Sequence, residues 1–410
     1  MRPRTPLLTV VGALALALTA CSGATPATPD GTTSSDTGDG HGAVSGAAEV
    51  AEPQLGLTTI DPSGAVTHLD LLDESVSDLG SIGEPTAMTT DGRYVFAQTA
   101  AGIEIVDSGV WTWDHVDHFH YYRAEPRLLG TVVGDGQATV ATTNLSTSGG
   151  TGVFFAESGE AVLLDTRALS KGDISEYFRI ETDAHAGMVV PIGSYALVTH
   201  AEGGVASSVV GYTSDGEPTE VEAPCVDAAG TITTRVGAVI GCRDGALLAT
   251  INEGELVIER IPYPAASPAP AATSFANREG RPTVAGLAGT DGIWLLDTRA
   301  RSWTLLPAPA PLVSVTADDD DDDHVLALAA DGRVLVLNGE DGSVIAETEP
   351  LVRDSIAAGH IPALIADQQR AYLSGPAEQH LFEIDFADAA RIARTFDTAT
   401  PPMFTAETGR

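Results

Sequence analysis

This sequence predicts an all-β fold, a single β-propeller of seven or eight four-stranded blades, and three observations carry that expectation. Short runs rich in Val, Leu, Ile and Thr are divided by Gly, Asp and Pro, the signature of strands and turns. The runs recur at intervals of roughly 30–53 residues, a propeller-like period. The two ends carry leftover fragments, a hairpin from Gly56 to Leu72 and a short end around Phe404, that together make one composite closing blade. Such closure removes open sheet edges. Two stacked β-sandwiches are the competing architecture, but no linker-like break divides the repeats.

Unit starts fall at Pro85-Thr86-Ala87-Met88, Ala138-Thr139-Val140, Gly187-Met188-Val189-Val190, Thr231-Ile232-Thr233, Pro282-Thr283-Val284, Leu312-Val313-Ser314-Val315 and Pro362-Ala363-Leu364-Ile365. Each leads into a turn and a second strand, as Asp91-Gly92-Arg93 leads into Tyr94-Val95-Phe96. A third strand often ends in Asp, as in Ile105-Val106-Asp107 and Leu163-Leu164-Asp165. A short helix is expected around Thr166 to Tyr177.

The propeller is assigned to residues 54–410. Ahead of it, residues 1–20 read as a lipoprotein signal peptide: Arg2 and Arg4, an apolar stretch from Leu7 to Leu18, then small residues. Leu18-Thr19-Ala20-Cys21 resembles a bacterial lipobox, which implies cleavage before Cys21 and a lipid on its thiol. Residues 21–53 are Thr, Ser, Gly, Ala, Pro and Asp with few large apolar side chains, a flexible tether in which His41 reads as a solvated residue. The chain is therefore expected outside the cytoplasm, held to the outer face of the cell membrane by its lipidated cysteine. In that oxidising compartment Cys225 and Cys242 are expected to pair. A two-cysteine metal site is the competing reading, and it lacks nearby histidines in the sequence.

The 410 residues include 57 Asp+Glu against 21 Lys+Arg, a formal net charge of −36. That balance excludes a nucleic-acid partner, whose phosphates need neutralising, and an anionic membrane surface. It favours a cationic ligand, or plain solubility. No G-x-S-x-G, Walker A, C-x-x-C, H-E-x-x-H or dinucleotide fingerprint occurs.

One segment stands apart. Trp111 to Arg123 holds three of the ten histidines, two of the four Trp and two of the eight Tyr. His115, His118 and His120 are spaced H-x-x-H-x-H, and in an extended strand His118 and His120 share a face. They are candidate ligands of one zinc ion, joined by His115, with Asp117 or Asp114 as ligand or orienting carboxylate. Farther along, His185 and His360 both precede the first strand of a unit and are expected near one mouth of the central channel. His200 follows the next strand. The segment around His118 lies between a third and a fourth strand, normally on the opposite side. Either it is a long insert folded over the channel, or there are two metal sites. The six aspartates from Asp318 to Asp323 lack the glycine-punctuated spacing of a calcium loop and read as a solvated turn.

At the His-rich segment the chain resembles the AztD-type zinc metallochaperones, exported β-propellers that accompany zinc ABC importers. The residues that carry the likeness are Val110-Trp111-Thr112, Asp114-His115 and Asp117-His118-Phe119-His120-Tyr121-Tyr122-Arg123. His185 with Gly187 and Val189-Val190-Pro191, the Cys225/Cys242 pair, and Leu326-Ala327-Leu328 with Asp331-Gly332-Arg333-Val334 add to it. The resemblance spans about residues 55–410. It implies zinc held and passed to the zinc-specific solute-binding protein of an ABC importer, by a non-enzyme expected to be a monomer. Family members carry a richer histidine stretch near the N-terminus, where this chain has His41 after Asp36 and Asp39. The competing readings are a metal-free interaction propeller and a secreted metal-dependent hydrolase.

Overall fold

Period-two alternation builds each blade and joins it to the next. Along His324–Ala329, Val325, Ala327 and Ala329 pack into the cluster on one side of their sheet. Leu326 and Leu328 pack into the cluster on the other. A sheet buried on both faces in this way must have a sheet on either side, and a row of such sheets can end only by closing into a ring.

The computed structural model describes residues 42–114, 118–265, 267, 269–290 and 292–410. Among these residues eight antiparallel sheets form the blades. Blade 1 comprises Gly56–Ile60, Ala65–Asp70 and Val76–Ser81, with Phe404–Thr408 as its inner strand. Blade 2 comprises Ala87–Thr90, Tyr94–Thr99, Gly102–Asp107 and Arg127–Val132. Blades 3, 4 and 5 begin with Ala138–Ala141, Val189–Ile192 and Thr231–Thr233, and blades 7 and 8 with Leu312–Ala317 and Leu364–Ala366. The composite closing blade is thus present, with Gly56 opposite Thr408 and Ile60 opposite Phe404. Buried clusters seal the junctions around the ring. Ile60 and Val66 meet Val95 and Val106 between blades 1 and 2. Leu57 and Leu69 meet Tyr372 and Leu381 between blades 1 and 8.

Two expectations need correction. Blade 6 does not begin at Pro282: its regular strands are Thr283–Leu287, Gly292–Asp297 and Ser302–Pro307. The inner position is reduced to isolated bridges, Ala276 to Ala285 and Asn277 to Ala317. The helix expected from Thr166 to Tyr177 stops at Ser170. Asp165 caps its start through Arg167 N and Ala168 N, and Gly172, at φ +94°, takes the chain out into the strand Glu176–Glu181.

Inner strands of a propeller run the same way, so one face collects their starts and the other their ends. We call these the entry face and the exit face. Third strands run parallel to first strands, so whatever lies between a third and a fourth strand emerges on the exit face. In blade 2 that insert is a hairpin, Val110–Asp114 and Phe119–Arg123. A strand from within the stretch read as tether, Ala48–Val50, joins it and makes a ninth, three-stranded sheet.

Cys225 and Cys242 form a disulfide that links the outer edge of blade 4 to the second strand of blade 5, inside their shared buried cluster. Closing a loop of this size constrains the unfolded chain by about 3 kcal/mol. The double substitution Cys225→Ala/Cys242→Ala is expected to lower unfolding stability by about that amount. Denaturant titration of the oxidised parent and the variant measures it, and equal midpoints would refute it.

Candidate metal centre

The hairpin is rooted in the ring before it reaches its histidines. Trp111 is fully buried, and its indole lies on the Arg93 guanidinium at 3.7 Å. Arg93 is held by Asp107 through two bonds of 2.9 Å, and Arg127 reaches the same carboxylate at 2.7 Å. Burial alone would raise the Asp107 pKa, but the two guanidinium groups hold it below the usual carboxylate value. The far end of the chain completes the root. Thr112 N donates to Arg410 O at 2.8 Å, and Thr112 Oγ1 donates to Gly409 O at 2.7 Å.

Above the root, register fixes which side chains meet. Trp113 stands opposite His120 and Trp111 opposite Tyr122. The Trp111 and Tyr122 rings stack at 5.2 Å, and Trp113 tilts against His120 at 6.0 Å. His118, two residues before His120, shares its face, and the two Nε2 atoms lie 3.0 Å apart. Two imidazole nitrogens on one tetrahedral zinc sit about 3.3 Å apart, so a small opening admits an ion. Asp114 is exposed at the end of its strand, opposite Phe119. His115 and Asp117 lie outside the described residues, as do Cys21, His41 and the signal segment.

Sequence reading missed Glu49. The strand Ala48–Val50 runs antiparallel to Phe119–Arg123 with Glu49 opposite Tyr122, and Glu49 Oε1 lies 2.7 Å from His120 Nδ1. Gly42 anchors the segment leading to this strand by accepting from Trp111 Nε1 at 3.1 Å. A Cβ on Gly42 would stand 2.4 Å from Trp113, so only glycine fits there. The Ala- and Glu-rich stretch around Glu49 has no alternation that could have flagged a strand.

The other candidates are elsewhere. His185 precedes the inner strand of blade 4 on the entry face, the opposite side from the hairpin. It is buried, with Nδ1 2.6 Å from Asp183 O and Nε2 2.9 Å from Thr199 Oγ1, and its ring packs edge-on to Phe154. His200 stacks on Tyr212 and bonds its hydroxyl through Nε2 at 3.0 Å. Burial, then the nearby His185, lowers the His200 pKa. His360 shares the entry face but precedes the inner strand of blade 8, across the ring from blade 4, and its N–H donates to Ser355 O. His185 and His360 therefore do not meet. The structure separates the candidates into a hairpin group on one face and His185 with His200 on the other.

The aspartate run is only in part the solvated turn expected: Asp321, Asp322 and Asp323 are exposed, but its first two residues are not. Asp318 and Asp319 are 0% and 4% exposed. Arg281 and Arg299 hold Asp319 at 3.0 and 2.8 Å, and Arg278 approaches Asp318 at 3.7 Å. Burial pushes the Asp318 pKa up to about 7. Asp320, Asp322 and His324 bring their ligand atoms within 4.8 Å of one another, though Asp320 already bonds His324 Nδ1 at 2.6 Å. At the exit end of the channel a cavity of about 310 Å³ is lined by Asp91, Glu279, Asn277, Glu407 and Arg410 among others. Burial raises Glu279 to about 7 and Asp91 to about 6.

Fold and hairpin together define an eight-bladed propeller with a histidine-bearing insert on its exit face. The chain is similar in structure to AztD of Citrobacter koseri, at a TM-score of 0.74 and 20% identity over 88% of this chain and 99% of that one. The apo form of that AztD gives 0.73 and 19%, over 87% and 98%. Dihydro-heme d1 dehydrogenase NirN in complex with DHE matches at 0.53 and 14%, over 87% of this chain and 76% of that one. These likenesses establish the shared propeller fold. No protein-family model matches the sequence, and no curated protein matches it.

The buried acid gives a pH prediction. Asp318 has a folded pKa of about 7 against an ordinary 3.8, so the folded state binds more protons between those values. Its contribution therefore falls as pH rises from about 4 to about 7 and is constant above. Asp318→Asn should flatten that part of the stability-versus-pH curve. Parallel curves for parent and variant from pH 4 to 8 would contradict it.

Proposed function

We propose that this protein is an exported, lipid-anchored zinc carrier that holds its ion at the hairpin and passes it to the zinc-specific solute-binding protein of an ABC importer. The observation that carries this reading is the pair of imidazoles, His118 and His120, with Nε2 atoms 3.0 Å apart on a rooted hairpin. The propeller shared with AztD supports it. His115, Asp117 and Asp114, from the same hairpin, are the further ligands proposed. His185 and His200, on the other face, are proposed as a separate and secondary group, with His360 not joined to them.

Chemistry and placement agree with a carrier. Imidazole and carboxylate ligands without thiolates exchange zinc more readily than a closed four-cysteine site. The hairpin projects from the face of the ring and leaves its ion within reach of a partner. A lipid on Cys21 and the tether that follows would raise the effective concentration of the carrier beside a membrane-bound importer. The direct route is transfer within a carrier–acceptor complex.

Two measurements test the reading. His118→Ala/His120→Ala is expected to lose the tightest zinc site in equilibrium dialysis, and unchanged stoichiometry and affinity would sink the proposal. Zinc-loaded protein is then mixed with an apo solute-binding protein and an excess of competing chelator. Filling of the acceptor faster than the chelator scavenges free zinc is the expected result. Equal rates would reduce the protein to a zinc store.

A further inference from the structure

The strand Ala48–Val50 has no part in the ring. Blade 1 starts after it, and the pairing among the described residues that places it is with the hairpin: Ala48 to Arg123, Glu49 to Tyr122, Val50 to Tyr121. Six residues earlier, Gly42 gives its carbonyl to Trp111 and packs on Trp113. The end of the tether is thus laid along the metal-bearing element, and it delivers a single carboxylate to one histidine nitrogen.

Which nitrogen it meets has a chemical consequence. An ionised carboxylate only accepts hydrogen bonds. Glu49 Oε1, 2.7 Å from His120 Nδ1, therefore places the proton on Nδ1 and leaves the lone pair on Nε2. Nε2 is the atom that faces His118 Nε2 at 3.0 Å. A carboxylate behind a ligating imidazole fixes its tautomer, aims its ring and raises its basicity.

We infer that Glu49 is a positioning residue for the zinc site: carried in by the tether-end strand, it holds His120 in the tautomer that ligates, so that retention of the ion depends on that strand being seated. This rests on the proposed zinc reading of the hairpin and adds to it. A partner that competes for the edge of Phe119–Arg123 would remove the carboxylate and loosen the ion in one movement.

The experiment uses the full chain and zinc alone as ligand. In Glu49→Ala, zinc affinity is expected to fall by about 10–100-fold, with faster loss to a chelator. In Glu49→Gln the amide oxygen still accepts from Nδ1–H, so most of that loss is recovered. Imidazole 15N shifts of the zinc-free protein should show His120 as the Nδ1–H tautomer in the parent and in Glu49→Gln, and a mixture in Glu49→Ala. Unchanged affinity and tautomer in Glu49→Ala overturn the inference. A Glu49→Gln variant as weak as Glu49→Ala overturns it too, because Glu49 would then bind the ion itself. His118→Ala/His120→Ala separates the two ideas. If that variant keeps its zinc, the site reading has failed. If it loses zinc while Glu49→Ala does not, only the positioning role has failed.

Discussion

The pairing of Phe404–Thr408 with Gly56–Ile60 is the constraint on which the rest of the structure depends. Seven blades are made from neighbouring stretches of chain, but blade 1 gains its inner strand only when the two ends meet. Until then Leu57 and Leu69 have no Tyr372 and Leu381 to pack against, and blades 8 and 1 present open faces. Closure also carries the last residues to the exit face, where Gly409 and Arg410 accept both bonds from Thr112. The candidate metal centre is thus assembled from three remote pieces: the blade 2 insert, the C-terminal end and the strand Ala48–Val50.

The electrostatics of the exit face follow from the same geometry. Inner-strand ends converge there, and the turns that follow four of them bring Asp91, Glu279, Asp318 and Asp367 to that face. Arg410 lies among Glu279, Asp367 and Glu407, a single guanidinium shared by several carboxylates. Asp318 and Asp319 are matched by three arginines from blade 6.

Much of this was legible in the sequence. Alternation of apolar residues located most of the inner strands, and the leftover ends gave the closing blade. H-x-H spacing placed His118 and His120 on one face because a strand repeats every two residues. Other features depend on partners that no local pattern names. The inner edge of blade 6 is two bridges at Ala276 and Asn277, too short for any periodicity. The aspartate run looks solvated until Arg278, Arg281 and Arg299 arrive from another blade. Glu49 has meaning only because its strand finds the hairpin edge, and His185 and His360 were drawn together by an equivalence of position that holds for any two blades of a ring.

The base of the insert has a consequence for how such a protein could arise. Asp107 and Arg127, the residues that flank it, face each other in antiparallel register and are joined by an ion pair of 2.7 Å. The blade is therefore complete on either side of residues 108–126, and a short turn could join the same two strands. The histidine hairpin is a portable cassette: a propeller of unrelated purpose could acquire it, or lose it, without changing the number or the order of its blades.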